Sequence, residues 1–263
     1  MSDLVQIETA GPIVTLWLNR PEYRNAVNLA MWTALDEAFK QVKANQDLRC
    51  MIIRGRPQKD GRIAFCAGAD ITEFPEKRSN TAQAEEYAAQ MEPAITALKE
   101  SPLPSIAMIQ GACTGGGLEL ALHCDLRFAG EGARLGLPIQ RIGHGLPLSA
   151  MRALVQLGGR ATALEMLLDS RLLTAEEALM KGVVNRVMPM TTLEEETLAA
   201  AARIAAGAPL AHQFHRKAAT RALQPKAYTT KDLREPHQLC DSADYAEGVR
   251  AFLAKEQPRF KGE

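Results

Sequence analysis

The 263-residue chain has no stretch of about 18 apolar residues, which leaves no candidate for a membrane-spanning helix. It has no net charge, Lys+Arg and Asp+Glu both totalling 31, and no long basic run. A nucleic-acid or membrane-surface partner therefore finds no electrostatic footprint. The five cysteines (Cys50, Cys66, Cys113, Cys124, Cys240) are odd in number and show no C-x-x-C spacing. Met1-Ser2-Asp3-Leu4 lacks the basic region and long apolar core of a signal peptide. Together these features lead us to expect reduced thiols and a cytoplasmic location. Also missing are H-E-x-x-H, a Walker A loop and a well-placed G-x-G-x-x-G, so metal, nucleoside triphosphate and dinucleotide readings lack support. We find no low-complexity tract and no clear repeat.

What is present is enough apolar sequence, 46%, to build a real core, in a length that suits one large domain or a core plus a small second unit. Leu4 to Glu8 and Ile13 to Leu18 read as strands joined by the turn Ala10-Gly11-Pro12. Val27 to Lys43 repeats its apolar residues with helical period. Cys50 to Ile53 and Ile63 to Cys66 read as strands, and Ala82 to Glu100 as a helix stopped by Ser101-Pro102-Leu103-Pro104. Ile106 to Ile109, Leu126 to Ala129 and Ala133 to Gly136 follow as strands. From Ser149 the pattern is mostly helical, broken at Val183 to Val187. Strands alternating with helices predict an α/β core over 1–190 and a helical region over 191–263. Amphipathic tail helices of this kind suit packing on another subunit.

The chemistry concentrates in two glycine turns. One is Phe65-Cys66-Ala67-Gly68-Ala69-Asp70-Ile71; the other, Gly115-Gly116-Gly117, joins a strand to a helix carrying Glu119. Their N–H groups can converge on one carbonyl oxygen and hold developing negative charge, or the glycines can simply permit close packing. Glu119 lies among Leu118, Leu120, Ala121 and Leu122. A carboxyl there is either a poised acid/base or one half of a buried ion pair with an arginine. His123, four residues on, is a second acid/base or a structural histidine, and His144 sits in a glycine turn freer to reach a ligand. The same turn, Gly111-Ala112-Cys113-Thr114-Gly115, also fits a nucleophile elbow with a thiol. Asp169 with His212, His215 or His237 would complete its triad; otherwise Cys113 is a small buried hydrophobe.

In order along the chain, several segments resemble the crotonase (enoyl-CoA hydratase/isomerase) superfamily. They are Asn19-Arg20-Pro21 with Asn25-Ala26-Val27-Asn28, Phe65 to Ile71, Gly111 to Asp125, and Leu135-Gly136-Leu137-Pro138. Ala175 to Val184 and Glu247 to Phe252 complete the set. The resemblance implies a spiral of ββα repeats with a C-terminal helical trimerisation region, assembled as a homotrimer or dimer of trimers. It implies an acyl-CoA thioester as ligand, with coenzyme A entering as part of the substrate and no other cofactor or metal. It places oxyanion donors at the N–H groups of Ala69 and Gly116, and the first hydratase glutamate at Glu119. Substrate and CoA contacts are implied for Arg24, Ala26, Ala67, Asp70, Ile71, Gly115, Pro138 and Ile139. Phe252 and Lys255 are implied to contact CoA, often from a neighbouring subunit.

The second hydratase glutamate is replaced by Ile139. Hydration needs a group to activate water and a group to handle the α-proton, so one carboxylate is missing. Many family isomerases keep only that second glutamate, and Pro147 stands where some dehalogenase and dienoyl-isomerase relatives carry an aspartate. Gln140, Arg141 and His144 are the polar candidates left for the acyl pocket. Enoyl-CoA hydratase/dehydratase chemistry built on Glu119 leads. Isomerisation or decarboxylation, a non-catalytic acyl-CoA binder, and a thiol hydrolase using Cys113 are the alternatives.

Overall fold

A computed structural model describes residues 3–263. Strands β1 (Val5–Ala10) and β2 (Ile13–Leu18) form the expected hairpin, paired from Val5 opposite Leu18 to Ala10 opposite Ile13. Helix α1 (Leu29–Ala44) starts two residues later than its apolar period suggests. Asn28 caps it, its side chain accepting the Met31 N–H at 2.9 Å. There follow β3 (Cys50–Gly55), the short α2 (Phe74–Lys77), α3 (Thr81–Lys99), β4 (Ser105–Ile109), β5 (Ala112–Thr114) and α4 (Gly116–Leu122). Next come β6 (Leu126–Gly130), β7 (Arg134–Gly136), α5 (Leu148–Leu164), β8 (Leu173–Thr174), α6 (Ala175–Met180) and β9 (Arg186–Met188). The last four helices are α7 (Leu193–Ala205), α8 (Pro209–Ala222), α9 (Thr230–Gln238) and α10 (Ala243–Ala254).

Six strands make the main sheet in the order β1-β2-β3-β4-β6-β9, parallel after the first pair. Alternate side chains of β3 and β4 enter two separate cores, which is why both strands read as unbroken apolar runs. Met51, Ile53, Ala107 and Ile109 join the core that includes α1 and α3. Cys50, Ile52, Ile106 and Met108 pack with Leu193, Ala200 and Ala201 of α7. The helical region thus begins by covering the outer face of the sheet, just after the boundary expected near residue 191.

A smaller sheet, β5-β7-β8, carries the glycine turn. The strand expected at Ile63 to Cys66 is not part of a ladder. That segment touches β5 through a single bridge, Cys66 with Cys113, in which the Cys66 N–H donates to the Ala112 carbonyl and the Thr114 N–H to the Cys66 carbonyl, both at 3.0 Å; just before β5, the Phe65 N–H donates to the Gln110 carbonyl at 2.7 Å. The next residues turn away because the Gly68 carbonyl is taken by the Val27 N–H at 2.8 Å.

Helix α4 lies directly on this segment. A β-carbon on Gly117 would sit 2.5 Å from Cys66 Cβ and 2.6 Å from the Cys66 carbonyl oxygen. Gly117→Ala is therefore expected to destabilise the protein by about 1–3 kcal/mol through overpacking. Gly145, where a β-carbon meets nothing within 4 Å, is the control. Thermal unfolding of Gly117→Ala and Gly145→Ala checks this, and an unchanged midpoint for Gly117→Ala would contradict it.

Candidate active site

The buried Arg20 joins the two segments that shape the site. Its guanidinium donates to the Ala26 carbonyl at 2.7 Å and pairs with the Asp70 carboxylate at 2.9 Å. Asp70 in turn caps the next turn by accepting from the Thr72 N–H and hydroxyl. These bonds hold the Asp70 carboxyl below the ordinary aspartate range, the Thr72 side-chain bond first, with the Arg20 bond and charge adding to it.

Val27 and Ala69 form one parallel bridge, in which the Val27 N–H donates to Gly68 and the Asp70 N–H donates to Val27, both at 2.8 Å. Amides alternate in direction along an extended backbone, so the Ala69 N–H points away from Val27. Among the described residues it has no acceptor. Gly116 opens α4, and its N–H, like others in a first helical turn, has no acceptor in the protein. A β-carbon built on Gly116 would lie 3.8 Å from the Ala69 nitrogen, so the two backbone segments approach closely here. Gly115, at φ 51° and ψ −126°, makes the turn that brings them together, a conformation that favours glycine.

Ala69 and Gly116 both line a cavity of ≈ 140 Å³. Of the expected site residues, Ala67, Ala69, Ile71, Gly115, Gly116, Glu119, Pro138, Ile139 and His144 line it. Apolar walls come from Trp32, Phe74, Met91 and Leu137. Glu119 is only 7% exposed and its carboxyl makes no hydrogen bond or ion pair with the described residues, so the buried ion pair considered from the sequence does not form. Burial raises its carboxyl from 4.5 to about 7; the Glu92 charge adds to this and Arg78 opposes it.

The remaining expected residues lie elsewhere. Gln140 and Arg141 are exposed and do not line the cavity. They lie in the helical turn Pro138–Ile142, whose residues 138, 139 and 142 face inward, leaving 140 and 141 on the outer side. Arg24, Ala26 and Asp70 stand outside the cavity wall; the exposed Arg24 side chain makes no hydrogen bond or ion pair with protein. Phe252, 84% exposed on α10, and Lys255, its C-terminal cap, do not reach the cavity within one chain. His123 turns from it as well, its Nδ1 bonded to the Glu119 main-chain oxygen at 2.8 Å. Cys113 is fully buried, and burial pushes its thiol well above the ordinary range. None of Cys113, Asp169, His212, His215 or His237 lines the cavity, so the thiol triad does not assemble.

Two polar wall residues went unseen in the sequence, Arg78 and Tyr87. Arg78 donates to His144 Nε2 at 2.8 Å. Tyr87 is 2% exposed and its hydroxyl lies beside the Glu73 carboxylate, outside strict hydrogen-bond geometry. Burial, with the nearby Glu73 charge, pushes that hydroxyl up to about 12.

The family model for enoyl-CoA hydratase/isomerase matches residues 8–263. The chain belongs to this family. It is 34% identical over 247 residues to the putative enoyl-CoA hydratase/isomerase YngF of Bacillus subtilis, covering 93% of each chain. It is 31% identical to the (E)-benzylidenesuccinyl-CoA hydratase of Thauera aromatica, over 98% of this chain and 99% of the relative. In structure it superposes on an enoyl-CoA hydratase/carnithine racemase from Magnetospirillum magneticum with a TM-score of 0.95 and 40% identity. That match covers 100% of this chain and 97% of the other. The mixed α/β core with its helical C-terminal region is thus the crotonase fold, in an enoyl-CoA hydratase/isomerase family whose members act on acyl-CoA. Among the described residues no helix is long and apolar enough to cross a membrane.

Proposed function

We propose that this protein adds water to an enoyl-CoA thioester, and removes it in reverse, with Glu119 as the one acid/base. The observation that carries this reading is the convergence of two acceptor-free amides and one unpaired carboxyl on a single cavity. The thioester carbonyl sits between the Ala69 and Gly116 N–H groups. Ionised Glu119 takes a proton from water as the water oxygen bonds to the β-carbon. The π electrons move to the thioester oxygen, where the two amides hold the enolate. The enolate then collapses and its α-carbon takes the proton back from Glu119. One carboxyl thereby does the work for which Ile139 offers no second group. A value near 7 suits both halves of the cycle, since the group must accept a proton and release it.

The hydratase name of the Thauera relative supports addition of water over other enolate chemistry. We assign CoA contacts to Arg24, whose cation is unpaired, and to the Ala26, Ala67, Asp70 and Ile71 segments beside the cavity. Phe252 and Lys255 would act from a neighbouring copy in a homotrimer or dimer of trimers, in the cytoplasm. The exposed Leu233, Tyr245, Val249, Phe252 and Leu253 on α9 and α10 fit such packing.

The test is loss of enoyl absorbance with crotonyl-CoA and longer enoyl-CoAs, with product identified by mass. Stoichiometric 3-hydroxyacyl-CoA is expected. Ile139, which dries the cavity wall, favours a second reading, a double-bond shift or decarboxylation without water. Deuterium exchange at the α-carbon with no hydration would select it. Binding of CoA esters with no turnover across the panel would leave a non-catalytic binder.

A further inference from the structure

The cavity wall carries a charge with no ion-pair partner among the described residues. Arg78 follows α2 as its C-terminal cap. Its guanidinium carbon stands 5.0 Å from the ring centroids of both Phe74 and Tyr87, which fix its plane. Its one hydrogen bond from the side chain goes to His144 Nε2, at 2.8 Å. No carboxylate of the described residues lies within ion-pair distance of it. An arginine is always a donor, so His144 Nε2 accepts, the histidine is neutral, and its proton sits on Nδ1. That Nδ1–H has no acceptor among the described residues. Burial first, then the Arg78 charge, lower the His144 pKa and keep the ring neutral.

Glu119 is not the missing counter-charge. It makes no ion pair with Arg78, and its raised pKa leaves it partly protonated near neutral pH. Glu92 and Glu73, the nearby acids, act on Glu119 and Tyr87 from outside the cavity lining. The remaining donors of the Arg78 fork and the His144 Nδ1–H therefore belong to one cavity wall and have no acceptor among the described residues. An oriented guanidinium with free donors matches a carboxylate.

We propose that Arg78 and His144 bind a second carboxylate on the acyl group, so that the substrate is a short dicarboxylic acyl-CoA. The proposal rests on the reading above that the acyl chain enters this cavity. The ≈ 140 Å³ of space suits a short chain rather than a long one.

Binding of saturated esters separates this subsite from catalysis. Calorimetry compares glutaryl-CoA with valeryl-CoA, which match in chain length and differ in the terminal carboxylate. Wild type is expected to bind glutaryl-CoA about ten- to a hundredfold tighter, the range of hydrogen bonds to a charged group. Arg78→Met is expected to bring the ratio near one, and Arg78→Lys to retain part of it. Equal affinity of wild type for the two esters would overturn the proposal. So would equal weakening of both by Arg78→Met, which would assign Arg78 to the CoA phosphates. Discrimination without enoyl-CoA turnover would sustain the subsite and remove the hydratase reading. Hydration of crotonyl-CoA with no discrimination would do the reverse.

Discussion

Glu119→Gln is expected to lose activity and gain stability, and the gain should depend on pH in one direction only. As the one acid/base, Glu119 takes the water proton and returns it to carbon; its loss should cost about a hundred- to ten-thousandfold in kcat. The wild-type kcat/KM should rise with pH through about 7, the value to which burial raises the carboxyl, and then level off. A second catalytic carboxylate would give a different profile. For stability, the folded carboxyl holds its proton to a higher pH than the unfolded one. Between 4.5 and about 7 the folded state binds more protons, so stability falls as pH rises through that window. Above it, ionised Glu119 costs roughly 3 kcal/mol, from the shift of 4.5 to about 7 at 1.36 kcal/mol per unit. Glu119→Gln removes that cost. Denaturant unfolding should show the variant more stable than wild type at pH 8, with the difference gone near pH 4. A variant no more stable at pH 8, or one with wild-type turnover, would contradict the role given to this residue.

The second large effect concerns a backbone atom that no side-chain substitution removes. Gly116 is the first residue of α4, a position where proline is tolerated because its N–H has no helical acceptor. Gly116→Pro therefore deletes one of the two free amides at little cost to the helix. The added carbon atoms are not free of consequence, since a β-carbon there sits 3.1 Å from Val27 Cγ2 and 3.5 Å from Trp32 Cζ2. Gly116→Ala carries the same β-carbon and keeps the N–H, so it is the reference. Relative to it, Gly116→Pro should lose about a hundred- to a thousandfold in kcat, as for removal of one oxyanion donor. Equal kcat in the two variants would show that the amide does not face the reacting oxygen.

How much of this site the sequence carries follows from how each part is encoded. Glu119 is legible locally, as a carboxyl in an apolar helix just after a glycine turn, whereas Ala69 and Gly116 are singled out within their turns by the family resemblance. Gly117 answers the competing reading as well, since it is the glycine required for close packing while its neighbour keeps a free amide. Arg78 and His144 were not legible as a pair. They are 66 residues apart, and nothing in α2 or in the Gly143-His144-Gly145 turn signals that they meet. Gln140 and Arg141 look equivalent to their neighbours in sequence, and only the helical turn from Pro138 sends them outward. The Ile63 to Cys66 segment has strand composition, yet the bond from Val27 to Gly68 ends its pairing after one bridge. For the Arg78–His144 pair and the Ile63 to Cys66 segment a long-range hydrogen bond decides the outcome; for Gln140 and Arg141 the phase of one short helical turn does.

The account depends on a thioester oxygen polarised by the Ala69 and Gly116 amides, and the carbonyl stretch of a bound thioester reports that polarisation. Difference infrared spectroscopy of butyryl-CoA carrying ¹³C at the thioester carbonyl should show the stretch at lower frequency on wild type and Gly116→Ala than in solution. Most of that displacement should be lost on Gly116→Pro. A bound carbonyl that keeps its solution frequency on the wild-type protein would contradict the account.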